Sequence, residues 1–468
     1  MTVKSATTFS KQKLPLLNGQ VKQFISKELA RELNDCEGLG ALTDMWTSRS
    51  NDSYISATLH FINKNFELKK FVLACQPFSG QHTAAALAKA LYKVMQTDLS
   101  FLRASTQRIA VHNSAANIKA AIPKTVEITD SLLCADHLIN LVLQKANEKK
   151  IFKYSCHNGT SQSSEEDNND INKAIKQAQD FSAKVHRSSN CQNDIKKKCQ
   201  ENEVSYVKII TDCLTRWNSK SMMITSVIRL REVLEELRDS KCEFADVTPS
   251  ENQFLLLVEV QPILDSFRKV SKVFSADKHP TLHLACSQLV NLQMKVNYIA
   301  QLDIQSATKG LVQIRTGELN RRFPNSGTKN HYHAMGNFLH PFFKGALVKK
   351  YGDLEGLKDR LVNEHPSHQE FLSQIRNASL NLTGSGFDFD EAEKMASEMP
   401  GEEILFRDGK SKIKIELDTY KGLPRPNSSN TDTLKWWEAH AKMIPLLSQV
   451  AKKYLAIPLT FASSERVF

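Results

Sequence analysis

The 468-residue chain contains nine cysteines, an odd number, and no two of them form a Cys-x2-Cys pair. That scatter excludes a disulfide framework and a zinc ribbon, and it leaves free thiols in a reducing compartment as the expectation. Met1 to Lys13 is polar and basic rather than apolar, so no secretory leader is read there. No run approaches the ~18 consecutive apolar residues that a membrane span requires. An intracellular, soluble protein is expected, with neither a membrane partner nor a small-molecule substrate. The hydrophobic content of 41% and charged content of 24% exclude a largely disordered chain. A net charge of +11 fits an anionic partner such as nucleic acid, and equally a basic solvated surface.

What is present is organised around Gly38 to Thr47, a short apolar run opened by glycines, with one acid, Asp44, near its end. A buried acid is costly unless something pairs with it, usually a metal or another cation. Two alternating runs follow, Tyr54 to Ile62 and Phe66 to Cys75. In the first, Ile55, Ala57, Leu59 and Phe61 fall on one face and Ser56, Thr58 and His60 on the other, the period of a half-buried strand. A helix over 17–34 precedes these strands, with Val21, Phe24, Ile25, Leu29 and Leu33 on one stripe. Another starts near Gln81-His82-Thr83, with Thr83 as its cap. Arg108 to His112 is a fourth strand, and Asn113-Ser114-Ala115-Ala116-Asn117 a strand-to-helix turn. Cys134 to Lys145 is the next amphipathic helix. Three consecutive strands with an acid on the first is how ribonuclease-H-like folds begin.

Beyond this, 154–170 is a serine-rich, acidic loop. Asn172 to Glu203 is lysine-rich and helical with sparse apolar residues, so a surface helix is expected, open to phosphate or simply solvated. From Thr215 the patterns are long and helical. Thr383 to Pro426 has the composition of a flexible acidic linker. Leu434 to Ala456 is helical again, and Ser463 or Ser464 caps a helix that has barely begun at Phe468, as expected of a clipped chain.

The order of these features resembles the hAT superfamily of DNA transposases and its domesticated relatives, the zinc-finger BED-type proteins. The resemblance rests on Asp44-Met45-Trp46-Thr47-Ser48, His82-Thr83, Val111-His112-Asn113-Ser114-Ala115-Ala116-Asn117-Ile118 and Cys134-Ala135-Asp136-His137. It continues in Thr215-Arg216-Trp217-Asn218-Ser219, Phe338-Leu339-His340-Pro341-Phe342-Phe343-Lys344, Tyr454 to Pro458 and Ser464 to Phe468. Each block alone is weak, and their shared order is strong.

The resemblance implies an α/β plus all-α architecture, a ribonuclease-H-like core interrupted by a helical insertion domain. The expected segments are a helical 1–37, a first core part 38–214, a helical insertion 215–382, a flexible acidic linker 383–430, and 431–468 as the start of a C-terminal dimerisation region completing the core. In this family three acids hold two divalent cations, hard ions that take oxygen ligands and flank an in-line phosphoryl displacement. Carried over, Asp44 is the first acid and Glu465 the last. Asn113 stands where the family has aspartate, which makes Asp44, Asn113 and Glu465 a remnant triad. Asp44 and Glu465 are left as weak Mg²⁺ or Mn²⁺ ligands, and no cofactor is expected unless activity remains. Losing one charge is serious, because even a partly screened unit pair at 4 Å is worth ~4 kcal/mol. Asp130 and Asp136 are the only nearby acids that could substitute.

The resemblance further implies DNA contact by Arg216 and Trp217, the latter as a base-stacking ring or else a core tryptophan. It also implies self-association through Trp436, Trp437, Leu446, Leu447, Tyr454 and Leu455, for which ordinary core is the competing reading. Cys134 and His137 are half a zinc site at most, with a packed thiol and a hydrogen-bonded histidine the default. No Cys/His set precedes Asp44, so the family's BED finger is not expected within this sequence. A transposase-derived, nuclear, DNA-associated and self-associating protein with a decayed site is expected, possessing a regulatory role in transcription. The alternatives are an active metal-dependent transposase and a protein-interaction scaffold that does not bind DNA.

Overall fold

The computed structural model describes residues 9–33, 36, 38–48, 50–78, 81–99, 107–113, 115–125, 128–145, 165–213, 218–240, 243–364 and 412–460. The chain divides into two compact units. One comprises Met1–Leu132, Asp277–Ala285 and Thr328–Phe468, the other Leu133–Ala276 and Cys286–Gly327.

The first unit is α/β. Helix α1 (Leu14–Glu32) leads into β1 (Gly38–Thr47), β2 (Ser53–Ile62) and β3 (Leu68–Pro77), then α2 (Ala84–Leu99), β4 (Gln107–His112), α3 (Ala116–Ala121) and β5 (Asp130–Leu133). The five strands are ordered β3-β2-β1-β4-β5, with β1 antiparallel to β2 and parallel to β4. Thr83 caps α2, its Oγ1 accepting the Ala86 N–H at 3.3 Å. Strand β5 has only four residues and carried no periodic signal.

The two faces of the sheet are built differently. Odd-numbered residues of β1 and β2, among them Leu39, Ala41, Ala57, Leu59 and Phe61, pack with Leu29 of α1 and with Leu33, which caps its C-terminus. Ile55 and Ala110 pack under Leu87, Ala88 and Leu91 of α2 and Ile118 of α3. The even-numbered face of β2, read above as solvated, is also buried: Ser56, Thr58 and His60 are all covered. The reason lies at the far end of the chain, where a helix running to Leu455 packs on β1 and β2. Gly40 makes the approach possible, since a Cβ there would meet Pro458 Cδ at 2.6 Å and the Ala456 carbonyl at 3.1 Å.

The second unit is helical. It contains α4 (Ala135–Lys145), α5 (Glu165–Arg187), α6 (Ser189–Glu201), α7 (Asn218–Ile228), α8 (Arg231–Asp239), α9 (Glu251–Phe274), α10 (Ala285–Ala300) and α11 (Ser306–Arg322). Helix α9 opens with a complete capping box between Ser250 and Gln253. Helices α4 and α5 pack on α9 and α11, so the compact helical unit begins at Leu133 rather than at 215. The expectation that 172–203 lies wholly on the surface is corrected as well. Ile171, Ala174, Ile175, Ala178, Phe181 and Val185 are buried at helical spacing, and Cys191, Ile195 and Cys199 continue the same core. The small alanines had made the apolar stripe look thin.

The chain then returns to the first unit with α12 (His331–Leu339), α13 (Ala346–Tyr351), α14 (Leu354–Glu364), α15 (Lys412–Gly422), α16 (Thr433–His440) and α17 (Pro445–Leu455). Residues 383–411 of the expected linker lie outside the described residues. Lys412–Gly422 is a helix instead, anchored by buried Ile413, Leu417 and Tyr420.

Candidate active-site remnant on the first strand

Strand alternation decides which side chains meet at the sheet edge. The β1–β4 register pairs Gly40 with Ile109 and ends with Leu42 beside Val111. Asp44 lies two residues beyond that last pair, still within β1, and the period of two carries it to the face on which Ala456 and Pro458 pack; Asn113 follows directly after the end of β4. His112 is buried and belongs to the alternate position.

Asp44 is nearly fully buried. Burial raises its carboxyl to about 6, opposed by the Met45 N–H, which donates to Oδ1 at 2.9 Å. Asn113 does different work. Its Oδ1 accepts the Ala115 N–H at 3.0 Å, an Asx turn leading into α3. An aspartate makes the same turn, so the amide at this position is not required by the fold.

The other acids considered are elsewhere. Thr129, just before Asp130, is hydrogen-bonded to the Arg108 carbonyl at 2.9 Å, and Arg108 is level with Leu39. Five residues of β1 therefore separate that end of the sheet from Asp44, about 17 Å at the usual strand rise. Asp130 instead accepts the Tyr332 hydroxyl at 2.6 Å. Asp136 lies on α4 of the helical unit, pushed up to about 6 by burial, and accepts the Ser275 hydroxyl at 3.2 Å. Glu465, Arg216 and Trp217 fall outside the described residues, as does Ser114. Among the described residues no group of three or more His, Cys, Asp or Glu is placed to hold a metal ion. Among the described residues, the assigned set supplies one carboxylate and one amide, fewer anionic oxygens than a pair of divalent cations takes. Cys134 is buried, with its Sγ 3.4 Å from the His137 N–H.

The residues assigned to self-association divide by burial. Trp437, Leu447, Tyr454 and Leu455 are fully buried within this one chain, which corrects their expected place on a partner surface. Trp437 donates its Nε1–H to the Leu339 carbonyl at 2.9 Å and stacks on Tyr420. Trp436 and Leu446 stay partly exposed. Glu416, missed in the sequence because its surroundings read as linker, is buried and accepts the Leu446 and Leu447 N–H groups at 3.2 and 2.7 Å. It thereby places an anion at the N-terminus of α17. His340, which departs from the family block, is buried edge-on against His283, and burial holds it down to about 4.

The lysines of α5 and α6 are largely neutralised. Lys173, Lys176, Lys184 and Lys198 pair with Asp170, Asp180, Asp246 and Glu236 at 3.0, 2.6, 2.8 and 2.9 Å. That favours the solvated reading of this face over a phosphate-binding one.

A mixed sheet with an acid on its first strand makes the first unit α/β, and the second unit is helical. Comparison with known proteins narrows this class. Residues 42–121 match the model of the ZBED1 RNase-like domain, 132–263 the ZBED1 RNase-like helical domain, and 416–468 the hAT family C-terminal dimerisation region. The chain is 23% identical over 474 residues to Putative AC transposase of Zea mays, covering 94% of this chain and 54% of that protein. It is 23% identical over 499 residues to Putative AC9 transposase of Zea mays, covering 94% and 55%. Over 234 residues it is 23% identical to Putative transcriptional regulator tpeD of Talaromyces stipitatus, covering 46% and 27%. The chain spans about half the length of the two transposases it matches. Together these matches make it a hAT/ZBED-type, transposase-derived protein.

Proposed function

We propose that this chain is a nuclear, DNA-associated, self-associating descendant of a transposase, with a ribonuclease-H-like core interrupted by a helical insertion and no remaining strand-transfer chemistry. One observation carries the reading: the residue that follows β4, the strand paired with that of Asp44, is an amide, Asn113, which supplies a turn but no negative charge. Burial raises the Asp44 carboxyl to about 6, so holding it as a carboxylate costs more than for an exposed acid. The match to a dimerisation region supports self-association. The net charge of +11 supports an anionic partner, and the regulator-like relative supports a role in transcription.

Mn²⁺-dependent nicking of hairpin or terminal-repeat DNA tests the proposal. No nicking by the native chain is expected, and robust nicking would establish the active transposase that the two maize relatives' names favour. DNA affinity should fall steeply with rising salt, as phosphate contacts release counterions. A salt-insensitive protein that ignores DNA would be a protein-interaction scaffold.

A further inference from the structure

Helix α1 carries apolar residues in two rows. Leu29 and Leu33, with Ile25 beside them, turn into the sheet core. Leu14, Leu17, Val21 and Phe24 lie about 100° around the helix from that row and are 52, 46, 54 and 64% exposed. Leu16 and Phe9 flank them and are exposed too. Spacing of three, four and three residues is the a/d pattern of a coiled-coil seam, and a contiguous exposed apolar row of this kind marks an interaction surface.

We propose that this row is a seam for α1 of a second copy of the chain, paired parallel and in register. With Leu14 and Val21 at a positions and Leu17 and Phe24 at d positions, the g positions are Lys13, Gln20 and Lys27. The e positions are Asn18, Ile25 and Glu32. A parallel pair sets each g residue against the e residue five places on in the other copy. Lys13 then faces Asn18, Gln20 faces Ile25 and Lys27 faces Glu32, which already accepts the Asn63 amide and pairs with Arg31, so no contact along the seam is between like charges. An antiparallel pair sets g against g and brings Lys13 towards Lys27, a like-charge contact. Two heptads fall short of the three or four that sustain a coiled coil alone. The seam therefore works as a second contact, tightened by the self-association proposed for 416–468 through the high local concentration of one α1 near the other. It rests on that reading for its strength and on a separate surface for its existence.

The test uses the full chain. Val21→Cys places a thiol at an a position, where a parallel in-register pair brings two Cβ atoms within disulfide reach. Gln23→Cys, outside the seam, and the native protein are the controls for the exposed native thiols Cys75 and Cys213. On mild oxidation a covalent dimer should form with Val21→Cys and not with either control. Equal cross-linking at Gln23 would overturn the proposal, as would no intermolecular product at Val21. Separately, Leu17→Glu with Phe24→Glu alters exposed side chains only, so circular dichroism should not change while sedimentation shows self-association weakened about tenfold or more. Self-association with an unaltered constant would remove the seam and leave the role of 416–468 standing. A native protein that is monomeric throughout would remove both.

Discussion

The end of β1 at Asp44 and the helical layer at Trp437 belong to the same unit but are built from different contacts. Around Trp437 the large side chains are tied to backbone: the indole N–H reaches the Leu339 carbonyl, the Tyr420 hydroxyl reaches the Phe338 carbonyl, and Glu416 caps two N–H groups of α17, although the Thr433 hydroxyl and the Asn337 amide are buried without a hydrogen-bond partner. At the end of β1 one buried carboxylate has a backbone donor, and Asn113, just past β4, presents an amide that makes a turn. The difference teaches that scaffold and chemistry are separable here. An amide or a carboxylate at 113 makes the same turn, whereas the aromatic layer depends on the particular side chains that fill it.

The sharpest way to break this contrast is Trp437→Ala. It should destabilise the protein by about 4 kcal/mol, the usual cost of emptying a large buried aromatic site, read from urea denaturation. A cost below ~1 kcal/mol, the scale of an ordinary surface change, would place Trp437 outside the core. Glu416→Ala should cost about 3 kcal/mol by the same measurement, since two N–H groups of α17 lose a charged acceptor in a buried place. Glu416→Gln, which keeps one oxygen, should cost less. Acid titration gives the next effect. Burial, with Lys70 as a second cause, pulls His60 down to about 4 from its ordinary 6.5. The unfolded chain therefore takes up a proton below pH 6.5 that the folded protein refuses until pH 4. Stability is full above pH 6.5 and falls by about 3 kcal/mol across that window. His60→Gln should remove about one proton from the slope of stability against pH between 4 and 6.5, and an unchanged slope would show that the ring is solvated. The smallest effect is the most telling: Asn113→Asp should change stability by less than about 0.5 kcal/mol, because a carboxylate oxygen accepts the Ala115 N–H equally well.

Much of the sheet was legible in the sequence. The alternation of Ile55, Ala57, Leu59 and Phe61 and the apolar run at Gly38–Leu42 named two strands and their faces. The family blocks pointed to Asp44 and Asn113, which stand at the same end of the neighbouring strands β1 and β4, two residues past their last register pair. What stayed hidden was long-range. Nothing local says that Ser56, Thr58 and His60 are covered, because their cover is more than 380 residues away at Ala456–Pro458. Strand β5 is too short to show a period. Helix α15 was obscured by its charged residues, although Ile413, Leu417 and Tyr420 recur at helical spacing. Composition also misled at α5, where alanine counted as filler rather than core. Trp437, Leu447, Tyr454 and Leu455 show the limit of the resemblance itself, since a region matched to dimerisation spends its largest side chains on its own core.

The central claim, that an amide beside Asp44 has disabled a two-cation site, is met most directly by calorimetric titration of Mn²⁺ into the native chain and into Asn113→Asp. The account predicts at most one weakly held ion in the native protein and clearly tighter binding once the second carboxylate is restored. Two tightly bound ions in the native protein, with no gain from Asn113→Asp, would contradict it.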